Sequence, residues 1–436
     1  MSRPSDESGA EADDGEGVDE TPGEADSGST RRRVLQTAGG LGLVGVLGIG
    51  GWVSRIDSLG EIRDRTDLIS RSSATGGRVS GPSSETVPAD MLSAAVQRAS
   101  ERRADTGLQA AVIFDDGTVW HGVAGEADHG DSDPLTHEDH LYIGSVTKLF
   151  TATLVMRRVQ QGAISLSDTV DEWLDLEYAG DVTVRMLLNH TSGVPNYTED
   201  LWFGLRYFAR PSKRWTPGEL VDVVGGKPLN FAPGSRHRYS NSNYVLLGRI
   251  LERVTGSPYS ALVRSLVREE LGYDRTYYLD YPDETVIANA YDESIFGFGR
   301  QNLTAFRTSM ETGAYAAGGI LSTAPDVASF VRSVFDGRVL DEDVLSEMRT
   351  FVDAPDEDVP AQVEYGLGIR HLRIDDEDLY GHTGTIPGYS AIAMHHDEPR
   401  YTIAVIGNVS TIAQAEICGA LQRVVLDERY RAIGSE

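Results

Sequence analysis

The chain has one cysteine, Cys418, and only three lysines among its 39 basic residues, in a length of 436. A single thiol excludes an intrachain disulfide framework and any cysteine-built zinc cluster. Its place in the apolar run around Ile417 marks it as a small core residue. Basic charge is scarce overall: 67 acidic residues leave a net charge of -28, which argues against nucleic acid or an anionic lipid surface as partner. Several motifs are also missing. There is no Gly-x-Ser-x-Gly elbow, no phosphate loop and no His-Glu-x-x-His pair. His137-Glu138-Asp139-His140 has the wrong spacing, and His395-His396 would point to opposite faces of a strand, so no metal site is expected, nor an organic cofactor. Gly40-x-Gly42-x-x-Gly45 matches a dinucleotide fingerprint in letters only, because no strand precedes it.

The lysines are Lys148, Lys213 and Lys227. An arginine-for-lysine bias with abundant Asp and Glu resembles the composition of halophilic archaeal proteins. In such a chain each lysine that persists is a candidate for chemistry, since a deprotonatable amine is the one thing arginine cannot supply.

Residues 1–30, with ten acids and one arginine, read as an acidic disordered tail. Arg31 and Arg32, followed by Val34 and Leu35, resemble a twin-arginine export signal. The glycine-rich apolar stretch to Val53 is about long enough to span a bilayer. Positive charge lies only on its N-terminal side, so the rest of the chain is expected outside the membrane, secreted or anchored through residues 31–53. Residues 54–86 are polar and read as a linker. The folded domain is expected over 87–430.

It begins with helical spacing in ADMLSAAVQRASERRA, followed by two strand-like runs around Asp116-Gly117, a hairpin signal. From Leu141 the pattern is mostly helical to about residue 305. Strand character returns in YGLGIRHLRI, YSAIAMHH and YTIAVIGNV, and a last helix runs from about Ile412 to Glu428. Strands at both ends predict an α/β (α+β) fold. Its antiparallel sheet is built from the two termini and flanked by helices, with a large helical insertion over about 150–305. A cleft between sheet and insertion is the natural site.

Three stretches carry candidate chemistry. In LYIGSVTKLFTATLVM, Ser145 and Lys148 stand three apart where an apolar helical pattern (Val146, Leu149, Phe150, Leu154, Val155) begins, so hydroxyl and amine share one face. The helix N-terminus and burial both favour a neutral amine able to act as base toward the hydroxyl. In APGSRHRYSNSNYVLLGRILERVTG, Tyr239 and Asn241 precede an amphipathic helix. They read either as a core ring and a helix cap or as a proton shuttle and a substrate hydrogen bonder. In LYGHTGTIPGYSAIAMHH, His382-Thr383-Gly384 leads toward a strand. Gly384 would let a substrate approach the strand edge, or would simply serve a turn.

Taken in this order, Ser145-x-x-Lys148, Tyr239-x-Asn241 and His382-Thr383-Gly384 resemble the three motifs of class C β-lactamases and the related D-stereospecific peptidases and esterases. TVRMLLNHTSGVPNY, AAGGILSTAPDVASF and EYGLGI are similar to the same family, and the resemblance covers about residues 88–428. It implies a β-lactamase/transpeptidase-like fold. It implies that Ser145 attacks an amide or ester carbonyl, that Lys148 and Tyr239 move the protons, and that Asn241 orients the acyl side. The backbone N–H groups of Ser145 and Thr385 would hold the oxyanion. His382 stands where the lactamases have lysine and is only partly charged near neutrality, which favours an esterase or peptidase branch. A catalytically inactive binding protein of the same fold, and a true β-lactamase or D-Ala-D-Ala carboxypeptidase, are the alternatives. The expected partner is a small-molecule or peptide amide or ester.

Overall fold

The Asp116-Gly117 signal becomes the turn of a hairpin in which β1 (Leu108–Ile113) and β2 (Val119–Ala124) pair antiparallel. Gly117 takes φ +82°, a left-handed conformation that suits glycine there. The computed structural model describes residues 87–427, apart from 105, 294–298 and 357. The expected acidic tail, signal or anchor, and linker lie outside the described residues. Among the described residues no helix is long and apolar enough to cross a membrane.

The hairpin joins six strands from the other end of the chain: β3 (Val352–Asp353), β4 (Gln362–Tyr365), β5 (Arg370–Ile374), β6 (Glu377–Ile386), β7 (Tyr389–His396) and β8 (Tyr401–Gly407). The eight strands run in the order β2-β1-β8-β7-β6-β5-β4-β3, with antiparallel neighbours throughout. The termini meet at β1 and β8, in a register from Leu108 opposite Gly407 to Ile113 opposite Thr402. Both strands, and β7, are buried along their whole length because helices cover both sheet faces. On one face, Leu108, Ala110 and Val112 pack in a core with Leu92 and Val96 of α1 (Ala89–Glu101) and with Ile417 and Leu421 of the last helix (Gln414–Val425). Ala111 and Ile113, pointing the other way, join the larger core of the helical region.

The helix that starts at Ser145 lies at the centre of that core. After a short 3-10 turn (Gly144–Val146), α2 runs Thr147–Gln160, and every residue from Thr147 to Met156 is buried. Over those ten residues the helix has no solvent-facing side, so its threonines bond locally or to neighbours. Thr151 donates to Ala316 O (2.7 Å) and Thr153 to Leu149 O (2.8 Å). Phe150 stacks on Phe330 with ring centroids 3.7 Å apart.

The helical stretch reaches beyond residue 305. Arg307–Ala314, Ala324–Phe335 and Glu342–Met348 are all helices before the sheet resumes at Val352. Ala324–Phe335 packs against β1, β7 and β8, a role that period-counting in the helix alone does not disclose.

Candidate active site

Ser145 sits on the turn that opens α2, made possible by Gly144 at φ +50°. One helical turn on, Lys148 is wholly buried. Its Nζ lies 2.9 Å from Ser145 Oγ, 2.8 Å from Asn241 Oδ1 and 2.6 Å from Ala317 O. Burial first, and then the positive charge of Arg370, hold the amine well below its usual pKa. A neutral amine has two N–H donors and one lone pair. The amide oxygen of Asn241 and the carbonyl of Ala317 only accept, so they take both donors. The lone pair is left for the one partner that can donate, the Ser145 hydroxyl.

Tyr239 lies immediately before α4 (Asn241–Thr255), with Ser240 as N-cap, so neither Asn241 nor Asn243 caps that helix. The Lys148 amine is 4.9 Å and the Arg370 guanidinium 5.0 Å from the Tyr239 ring centroid. The Tyr239 hydroxyl is buried and makes no well-formed hydrogen bond, yet Ser145 and Arg370 are close enough to draw its pKa down. Burial is the larger effect and raises it overall, leaving a neutral phenol. Asn241 is committed at both ends of its amide, since Nδ2 donates to Thr198 Oγ1 at 3.2 Å.

Gly384 on β6 borders the cavity and also makes a close internal contact. A Cβ there would stand 2.1 Å from Ile143 O and 2.8 Å from Ser145 N, so the strand lies directly on the turn that carries Ser145. From the other side, a Cβ on Gly144 would meet Thr385 N at 2.8 Å. The backbone nitrogens of Ser145 and Thr385 therefore border one small space. β5 pairs with β6 only as far as Gly381, so that edge of β6 is open beyond it. Gln414 holds the stretch by donating to Gly384 O (2.7 Å) and Thr385 Oγ1 (3.1 Å). Gly384→Ala is expected to cost about 3 kcal/mol of stability or more, read as a lowered melting temperature, because backbone on both sides must move. A melting temperature equal to that of the parent protein would disprove this packing.

His382 corrects the sequence reading in two respects. The imidazole is fully buried and does not line the cavity, whereas Thr383, Gly384 and Thr385 do. Alternation along the strand puts Thr383 and Thr385 on one face and His382 on the other. It is also uncharged: burial, then Arg370 and Lys148, push its pKa well below 6.5. Its place in the fold comes from a chain of hydrogen bonds. His190 Nδ1 accepts from Ser240 N (3.2 Å) and Asn243 Nδ2 (3.1 Å), so its proton is on Nε2, which faces Tyr365 Oη at 3.2 Å. Tyr365 then donates to His382 Nε2 (2.9 Å), and His382 Nδ1 donates to Thr383 O. His190 is likewise held neutral, chiefly by burial.

The buried cation beside Tyr239 is Arg370, the first residue of β5. It is buried, lines the cavity, and is anchored through Nη1 to Asp356 (3.3 Å) and Gln362, while its Nε has no partner. Sequence reading passed over it, although EYGLGI ends at the residue before it. It also passed over His190, Tyr365 and Ala317, which lie inside or beside quoted stretches but carry no signature of their own.

Ser145, Tyr239, Asn241, Thr383, Gly384, Thr385 and Arg370 all border one cavity of about 500 Å³. Among the described residues no cluster of three or more His, Cys, Asp or Glu side chains is placed to hold a metal ion. The arrangement can deprotonate a hydroxyl, deliver a proton from a phenol, and offer backbone N–H groups to a developing oxyanion.

Residues 92–424 match the family model described as Beta-lactamase. A penicillin-binding protein of Bacillus subtilis is 24% identical over 331 residues, covering 72% of this chain and 70% of that protein. Among solved structures, D-amino acid amidase from Ochrobactrum anthropi, complexed with L-phenylalanine amide, superposes with a TM-score of 0.69 at 28% identity, covering 79% of this chain and 99% of its own. A D-stereospecific amidohydrolase from Streptomyces gives 0.67 at 28% identity, covering 78% and 99%.

Proposed function

The chain belongs to the beta-lactamase family of serine hydrolases, and from that premise we propose that it is an exported enzyme that cleaves an amide or ester through an acyl-enzyme on Ser145, in the amidase, peptidase or esterase branch. The observation that carries the proposal is the buried Lys148 amine, 2.9 Å from Ser145 Oγ, with its other partners, Asn241 Oδ1 and Ala317 O, able only to accept. The hydroxyl proton passes to that amine as Oγ bonds to the substrate carbonyl. The tetrahedral oxyanion is held by the N–H groups of Ser145 and Thr385. Tyr239, between Lys148 and Arg370, relays the proton to the departing amine or alcohol, and the acyl-enzyme forms as that bond breaks. Water then adds to the ester carbonyl, giving its proton to the same pair, and the acid leaves as Ser145 recovers its own. The names of the solved relatives, an amidase complexed with an amide and an amidohydrolase, support an amide over a phosphoester or glycoside.

A second reading, cleavage of a lactam or a D-Ala-D-Ala terminus, is favoured by Arg370, which supplies a fixed positive charge that His382 does not. One series separates these. A fluorophosphonate is expected to label the protein and Ser145→Ala to abolish labelling. p-Nitrophenyl esters and D-amino amides are expected to turn over faster than a chromogenic cephalosporin. The reverse order would establish the lactamase reading, and absence of labelling and turnover at both low and high salt would leave a binding protein.

A further inference from the structure

The cavity has two chemically unlike ends. Near Tyr239 it is lined by Arg370, His237, Asp356 and Asp358, all capable of charge or strong hydrogen bonds. The other end lies between α3 (Leu201–Ala209) and α5 (Arg307–Ala314) and is lined by Phe203, Tyr207 and Phe208 from the first helix and Met310 and Ala314 from the second. Phe203 with Tyr207, and Met310 with Ala314, are pairs four apart, so each pair shares one helix face. None of these five is charged. The three charges on the two helices turn elsewhere: the Arg206 guanidinium lies over Trp215, its centre 6.0 Å from the ring centroid, Arg307 Nη2 donates to Ile287 O at 2.7 Å, and Glu311 accepts from Leu279 N at 3.2 Å.

The aromatic wall is held from behind. Phe203 packs edge-on against Tyr197 (4.9 Å) and beside Trp215 (4.8 Å), and Tyr207 is roughly parallel to Phe306. Tyr197 Oη donates to Gly313 O (2.6 Å) and Trp215 Nε1 to Ser309 Oγ (2.9 Å), tying the segments on either side of α3 to α5. Phe208 is less buried than Phe203 and Tyr207, and contacts Phe306 and Tyr207.

We infer that the space between α3 and α5 is the acyl subsite, and that it takes an uncharged group bearing an aromatic ring. The assignment rests on the hydrolase reading above: Tyr239 serves the leaving group, so the leaving group occupies the charged end. Asn241, joined to Thr198 just ahead of α3, then faces the acyl side. Preformed ring walls over the small side chain of Ala314 favour a planar group, because the slot costs little to order and burial of the ring is unopposed by stranded charge.

The test is a series of p-nitrophenyl esters (acetate, butyrate, phenylacetate and hemisuccinate) run beside the rate of Ser145 labelling by a small alkyl fluorophosphonate. kcat/KM for phenylacetate is expected to exceed that for acetate by about 10-fold or more, with hemisuccinate poorest. Phe208→Ala should bring the phenylacetate-to-acetate ratio toward one, mainly by lowering phenylacetate turnover. Ala314→Leu should lower phenylacetate turnover and spare acetate, and stands as an independent arm if Phe208→Ala does not fold. Acetate equal to or better than phenylacetate in the parent protein, hemisuccinate preferred, or variants that lower all esters equally at normal labelling would overturn the subsite alone. Failure of the parent protein to label would instead remove the hydrolase reading.

Discussion

Lys148→Arg is expected to lower kcat/KM for every accepted ester by about 10³-fold or more, and to slow fluorophosphonate labelling of Ser145 in parallel. The substitution keeps a long hydrogen-bonding side chain but puts a permanent charge where the amine is neutral, and it cannot present a lone pair, because a guanidinium does not deprotonate in a protein. The parent amine is poised to do so, being buried beside Arg370 and driven well below 10.5. The same shift sets the pH dependence. Activity falls on the acid side as the pH drops through the lowered folded value, since protonation occupies the lone pair. The fold follows the same direction: a group whose folded pKa is depressed contributes stability that is present above its unfolded value and lost as pH falls through the folded one. A Lys148→Arg enzyme within 10-fold of the parent rate would sink the assignment of Lys148 as base.

The second large effect concerns His382→Lys, which restores the residue that class C β-lactamases carry at this motif. Sequence comparison alone would expect a gain in lactam turnover. The structure leads to the opposite expectation, a loss of about 3 kcal/mol of stability or more with no gain toward a chromogenic cephalosporin. The His382 site has no opening to the cavity and offers a new ammonium only the Tyr365 hydroxyl and the Thr383 carbonyl. Arg370 and Lys148 already push the resident imidazole toward neutrality, and a third cation meets the same repulsion. Lysine would also remove the acceptor that Tyr365 uses, breaking the chain to His190. Melting temperature and cephalosporin rate decide the matter, and a variant as stable as the parent with lactam turnover raised 10-fold would refute it.

The strands were legible because β7 and β8 are continuous apolar runs bounded by turn residues, and YSAIAMHH coincides with β7 residue for residue. α2 was legible as a helix but not as the centre of the core, because Thr151 and Thr153 look like surface residues until their hydroxyls are seen bonded inward. His382 was misjudged for a related reason. A motif preserves which residue stands where but not which way it faces, and only the pleat of β6 and the bulk of Tyr365 settle that. Arg370 went unnoticed because an arginine among many has no local mark. What singles it out is its seat in the cavity wall beside Tyr239.

By itself the sequence determined the architecture in outline, terminal strands around a helical middle, and the pairing of Ser145 with Lys148, because both are written in contiguous residues whose spacing sets their geometry. Tertiary structure alone decided what state that pair is in. Lys148 finds Asn241 at 93 residues' separation and Ala317 at 169, while His190 finds Tyr365 at 175. Contacts at such distances along the chain exist only once the sheet and the insertion have closed on each other. They exclude water from the amine, and that exclusion separates a base from an ordinary surface lysine.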